Sequence, residues 1–236
     1  MIFCELRTVS SNIHQSLRIS IAPTLRNTTK IHKRFQSLVR TIASSKANII
    51  MGKKVLVPLA PGSEELEAVG IINVLRRGNI DVHVASITDS LTVECARKTK
   101  IVCDTLLKDI KPSVHFDMIV LPGGMPGATN MSQCHLLIDM IKEQKKQGRW
   151  YAAICASPAV VLKKHDLLPK HATCYPSFQD EMKGALDIKE RVVIDEESKV
   201  VTSQGPGTVL QFALEVLRLL TDKPTADKVK EGMLVQ

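Results

Sequence analysis

Three short stretches of this sequence carry side chains able to do chemistry. Ala152-Ala153-Ile154-Cys155-Ala156-Ser157-Pro158 sets a cysteine between an apolar run and a proline that suits a helix start. Small flanking residues permit a sharp strand-to-helix turn that presents a nucleophile. A helix beginning just behind the sulfur predicts a lowered thiol pKa and a reactive thiolate. Gly123-Gly124 closes another apolar run. Two glycines let backbone N–H groups come close to a ligand, as an oxyanion hole requires. Glu67 stands in the first turns of a helix. If it faces Cys155 it is a buried carboxyl, holds its proton near neutral pH, and donates to a thiolate or an oxidised sulfur. Each stretch also has a plainer reading. A cysteine after an apolar strand is most often inert core. A glycine pair is an ordinary turn, and an acid at a helix start is a solvated one.

The elements that must position these residues follow from the apolar pattern. Residues 55–60 read as a buried strand ending in the Pro61-Gly62 turn. A helix runs over 63–77, with Ser63 as N-cap, acids in its first turn, and Gly78 as its stop. Strands are expected at 81–86, 116–121 and 150–154, with a helix at 134–147 between the last two. A helix follows at 158–165. Residues 192–194 and 200–202 read as a hairpin pair, followed by an amphipathic helix at 207–220 and a short one at 225–232. The irregular segment 86–100 has room for a small extra hairpin. Apolar strands alternating with helices make an α/β fold, a parallel sheet covered on both faces. Sites in such sheets lie beyond the carboxyl ends of the strands, where all three reactive stretches stand.

Composition narrows the class. The chain has 236 residues, 44% hydrophobic and 24% charged, which suits one ordinary globular domain. Aromatics are only 3%, a poor basis for a base-stacking nucleic-acid surface. The pI of 9.2 belongs to the beginning of the chain. Residues 1–50 carry eight Lys/Arg against one acid, whereas residues 51–236 carry 24 against 23. No specific nucleic-acid binding is read from that charge. The six cysteines, at 4, 95, 103, 134, 155 and 174, form no C-x-x-C pair and no zinc spacing with histidine. Free thiols in a reducing compartment are the expectation, with no metal and no cofactor. No apolar run approaches the length of a membrane span.

Residues 1–50 form a basic leader, and the folded domain occupies 51–236. Within the leader, Ile31, Phe35, Leu38, Val39 and Ile42 recur at helical spacing, with Lys33 and Arg40 off that stripe. This is the composition of a mitochondrial transit peptide, with Arg40-Thr41-Ile42-Ala43-Ser44 as a place for processing. The other readings are a disordered extension, or translation starting at Met51, which would leave the protein cytoplasmic with the nucleus also open to it.

Four motifs together resemble the DJ-1 subgroup of the DJ-1/ThiJ/PfpI superfamily. They are Gly62-Ser63-Glu64-Glu65-Leu66-Glu67, Leu121-Pro122-Gly123-Gly124, the Cys155 stretch, and Thr202-Ser203-Gln204-Gly205-Pro206-Gly207-Thr208. They stand in family order and cover nearly all of residues 53–236. The resemblance implies a flavodoxin-like three-layer sandwich and a homodimer. It implies Cys155 as nucleophile and Glu67 as its acid/base partner. Gly123, Gly124, Ala156, Tyr175 and Pro206 would complete an oxyanion-holding pocket, with Arg77 and Arg97 as anion-binding candidates. It further implies glutathione-independent glyoxalase or deglycase chemistry on small aldehydes or glycated substrates, and a redox role through oxidation of Cys155. A non-catalytic redox sensor or chaperone is the alternative. Tyr175 stands where many relatives have His, with His171 nearby but out of register, and Gln204 stands where several have Arg. A phenol is a poor base at neutral pH, so a full Cys–His–acid triad is not expected. Ala156 follows the cysteine where protease-like members place His, which argues against a peptidase or amidotransferase.

Overall fold

Val55, Leu56, Val57 and Leu59 are fully shielded from solvent. A strand apolar on both faces belongs in the middle of a covered parallel sheet. The computed structural model, which describes residues 52–236, places it there. Its strands are β1 (Lys54–Leu59), β2 (Asp81–Ser86), β3 (Thr92–Glu94), β4 (Lys100–Val102), β5 (Thr105–Leu106), β6 (Met118–Leu121), β7 (Trp150–Ile154), β8 (Val192–Asp195) and β9 (Val200–Ser203). Seven of them form one sheet in the order β5-β2-β1-β6-β7-β9-β8. Only β8 runs antiparallel, pairing Val193 with Thr202 of β9. The hairpin expected within 86–100 is the separate pair β3–β4, with Val93 opposite Ile101. The leader readings lie outside the described residues.

Among the described residues five α-helices accompany the sheet: α1 (Glu65–Arg77), α2 (Gly127–Gln133), α3 (His135–Lys146), α4 (Val209–Leu220) and α5 (Lys223–Gly232). From β1 the chain steps to β2 on one side, then returns to β6 on the other. Right-handed crossovers therefore put α1 and α3 on opposite faces. α4 packs against α1, and α3 packs on β6 and β7. The reversal between β1 and β6 is a topological switch point, the place where open α/β sheets leave a crevice. Among the described residues no helix is long and apolar enough to cross a membrane.

Two local expectations, the N-cap of α1 and the helix at 158–165, need correction, while Gly78 stops α1 as expected. The N-cap of α1 is Glu64, whose carboxylate accepts the Glu67 N–H at 2.7 Å. Ser63 is buried instead, and its Oγ accepts the Ala60 N–H at 3.0 Å, closing the turn after β1. Gly78 ends α1 without a left-handed turn; Asn79, with φ 59°, takes that conformation. A Cβ on Gly78 would lie 2.2 Å from Leu217 Cδ1, so close approach of α1 to α4 is what needs glycine. The helix expected at 158–165 is a wider π-turn, Pro158–Leu162, followed by a 3-10 turn, Lys163–His165. In it Ala159, Val161 and Leu162 are all buried. The short helix α2 had no clear signature, because Gly127, Thr129 and Asn130 are poor helix formers.

Candidate active site

The loops leaving β1 and β6 meet backbone to backbone. Glu64 N–H donates to the Gly123 carbonyl at 2.9 Å, and Gly127 N–H to the Gly62 carbonyl at 3.1 Å. Gly124 has φ 90°, a left-handed conformation that favours glycine. A Cβ there would also lie 2.4 Å from Glu64 N and 2.6 Å from Gly62 O. From β7, Ser157 Oγ donates to the Pro122 carbonyl at 2.6 Å. The three stretches singled out in the sequence are thus joined into one unit at the switch point.

Cys155 sits in a sharp turn with φ 64°, a conformation unusual for a residue with a side chain. Two bonds hold it there. Its N–H donates to Ser203 O at 3.0 Å, and its carbonyl accepts the Tyr175 N–H at 2.8 Å. Its surface is 8% exposed, and Glu67 is fully buried. Glu67 Oε2 accepts the Gly123 N–H at 2.7 Å. A Cβ on Gly123 would lie 2.5 Å from Cys155 Cβ and 2.9 Å from Glu67 Oε2. Cys155 Cβ and the Glu67 carboxyl therefore flank the space that a single methyl group would fill. Glu67 Oε1 has no hydrogen-bond partner; the Cys155 thiol is the neighbouring side chain that acts on the carboxyl.

Burial raises the Glu67 pKa to about 7, and the Glu64 charge adds to this. The Gly123 N–H and the Cys155 thiol pull the other way. Burial also pushes the Cys155 thiol up to about 12, with the negative Glu67 as the next cause. The N–H groups of Gly124 and Ala156 lower it. The expected lowering by a following helix is thus reversed. A five-residue π-turn follows rather than an α-helix, and burial beside a carboxylate outweighs its donors. Two groups this close titrate as a pair. When Glu67 keeps the proton, the carboxylate charge no longer opposes the thiolate. Two backbone donors then remain to hold the sulfur's charge.

The other candidates are placed as follows. Tyr175 reaches Cys155 through its backbone, while its exposed ring lies against Gly205, just before Pro206. Arg97 is exposed at the tip of the β3–β4 hairpin, and its N–H donates to the Glu65 carboxylate at 2.9 Å. Arg77 is at the far end of α1, roughly 15 Å from Glu67 by helical rise, with its Nε on Asn73 Oδ1. The chain's own fold does not bring it to the sulfur. His171 pairs with Asp187 at the surface, and Gln204 Nε2 donates to the Lys189 carbonyl. The sequence reading missed Ser157 and Ser203, whose contacts fix the elbow; a serine between small residues gives no local sign of a distant acceptor. Among the described residues no three His, Cys, Asp or Glu side chains gather as a metal site would.

Comparison with known proteins shows the family. Residues 53–219 match the DJ-1/PfpI family. The chain is 45% identical over 187 residues to Protein DJ-1 homolog A of Arabidopsis thaliana, covering 78% of this chain and 47% of that protein. It thus spans about half the length of that relative. It is 37% identical over 171 residues to the glutathione-independent glyoxalase DJR-1.2 of Caenorhabditis elegans, covering 71% of this chain and 89% of that one. The solved structure of oxidized Toxoplasma gondii DJ-1 superposes with a TM-score of 0.74 at 41% identity, over 78% of this chain and 98% of that chain. On sequence, topology and the layout of its reactive loops, the chain belongs to the DJ-1/PfpI family.

Proposed function

We propose that this protein is a cysteine-dependent enzyme acting on small reactive dicarbonyls, of the glutathione-independent glyoxalase or deglycase type. The observation that carries the reading is the buried Cys155–Glu67 pair beside the N–H groups of Gly124 and Ala156. The Cys155 thiolate adds to the aldehyde carbon of methylglyoxal, and Glu67 gives its proton to the new alkoxide. The resulting hemithioacetal loses its C–H proton to the Glu67 carboxylate. That proton returns to the neighbouring carbon, leaving a thioester. Water cleaves the thioester to lactate and restores the thiol. The balance is methylglyoxal plus water to lactate. On a glycated amine the same addition would end in release of the amine. Lactate formation should vanish in Cys155→Ser; retained activity refutes the assignment.

A second reading, a redox sensor or redox-dependent chaperone, rests on the acid beside Cys155 and not on its thiol pKa, which burial raises as it does in the other buried cysteines. Burial pushes Cys95 and Cys103 up to about 11 and Cys174 up to about 12. None of these three has a buried acid that can hand it a hydrogen bond as Glu67 can for Cys155. Under mild peroxide Cys155 should gain two oxygens, one from each of two peroxide molecules, before the other cysteines oxidise. Mass spectrometry reads the order, and earlier oxidation of another cysteine removes the basis of this reading.

A homodimer fits the exposed apolar side chains Leu66 and Val69 on α1, Val102 on β4 and Leu210 on α4. Light scattering of the parent and of Leu66→Glu with Val69→Glu tests it; an unchanged mass in the variant rejects this face. Residues 1–50 are proposed as a transit peptide. Their fusion to a fluorescent protein should send it to mitochondria, and a diffuse signal rejects that role.

A further inference from the structure

The hydroxyl of Ser157 is fully buried and donates to the Pro122 carbonyl at 2.6 Å. The next N–H in the chain, that of Gly123, donates to Glu67 Oε2 at 2.7 Å. Both bonds use the same peptide unit, one at its oxygen and the other at its hydrogen. A hydrogen bond accepted by a peptide oxygen polarises the group and strengthens the donor at its other end. The same loop carries the Gly124 N–H that acts on the sulfur. We propose that Ser157 is a positioning residue that acts on Glu67 through the Pro122–Gly123 peptide, setting how strongly the carboxyl holds the proton it shares with Cys155. The proposal rests on the acid–thiol pair described above and adds a control to it.

The groups that face Glu67 leave this relay a clear part. Cys155 faces it from the elbow, Glu64 from its own helix, and the Gly123 peptide from the loop after β6. Among the described residues no Lys or Arg acts on it. Glu65 is turned away to the Arg97 and Thr99 amides, and Tyr175 meets Cys155 only through its backbone N–H. The Gly123 N–H is the largest influence that favours the ionised carboxyl. Weakening it must therefore move the pair's titration upward. A plainer role is also open to Ser157, because a buried hydroxyl needs an acceptor whatever else it does. The test has to separate the two.

The measurement is the rate of Cys155 alkylation by iodoacetamide against pH, resolved by mass spectrometry of the Cys155 peptide. In the parent the rate should rise through an inflection near neutral pH. Ser157→Ala should move that inflection upward by roughly half a pH unit, and Ser157→Thr, which keeps the hydroxyl, should restore it. In a Glu67→Gln background, adding Ser157→Ala should leave the profile where Glu67→Gln alone puts it. A Ser157→Ala profile that coincides with the parent overturns the proposal. So does a shift of equal size in the Glu67→Gln background, which would mark a purely structural role. If Thr is too bulky to fold, the two Ala comparisons still decide. If Glu67→Gln alone leaves the neutral inflection in place, the acid–thiol pair itself fails, and the relay with it.

Discussion

Replacing Glu67 by Gln should stabilise the fold, and by more as the pH rises. An unfolded glutamate titrates near its ordinary value of 4.5, whereas the buried one titrates near 7. The folded state thus holds this proton more tightly than the unfolded chain does. Its contribution to stability is fully present below pH 4.5 and is lost as the pH rises through 7. The interval between those values corresponds to about 3 kcal/mol. It does not matter which of the two atoms keeps the remaining proton, since a buried negative charge appears in either case. Glutamine has the same shape, can accept the Gly123 N–H, and never ionises. Parent and variant should therefore unfold alike near pH 4.5. They should diverge steadily, until at pH 8 the variant is the more stable by up to about 3 kcal/mol. Urea unfolding between pH 4.5 and 8 measures this, with fluorescence from Trp150, the single tryptophan of the chain, at the start of β7. A gap of that size moves the midpoint by about 1 M or more. A separation that does not change with pH, or one in which the parent gains as the pH rises, refutes the argument.

Three more substitutions probe the frame. Gly123→Ala forces a methyl into the space between Cys155 and Glu67. It should cost about 1–3 kcal/mol of stability and lower lactate formation at least about tenfold. Thermal unfolding and a lactate assay read the two effects. Gly78→Ala should cost a similar about 1–3 kcal/mol by pushing Leu217 aside, while the pH profile of Cys155 alkylation stays put. Tyr151→Phe removes the hydroxyl that donates to the Leu167 carbonyl at 2.8 Å. Its melting temperature should fall, by about 1–2 kcal/mol of stability.

Much of the frame was legible because it is local. Residues 81–84 alternate polar and apolar side chains and residues 150–154 form a short apolar run, and they match β2 and β7. The convergence of Cys155, Glu67 and Gly123 was legible as a whole, since each stretch ends a strand or opens a helix on the same side of a parallel sheet. What misled was set by distance and depth. Ser63 and Glu64 are both able to cap α1, and the choice fell to Glu64 because the buried turn after β1 took the serine hydroxyl. The direction of the thiol's pKa depends on how deep the sulfur sits and on the charge beside it, which no local pattern encodes. Arg77 follows Glu67 by ten residues, but a helix turns that short interval into the full length of a rod.

The crowding of Gly62, Gly124 and Gly127 has an evolutionary corollary. Where main chain rests on main chain with no space for even a methyl group, the spacing of sulfur and acid is inherited from the skeleton and not from its decoration. A residue that meets the elbow only through its backbone, as Tyr175 does, is then free to be exchanged between lineages. Descendants can retune which molecules they admit while the reacting atoms stay at the same separation.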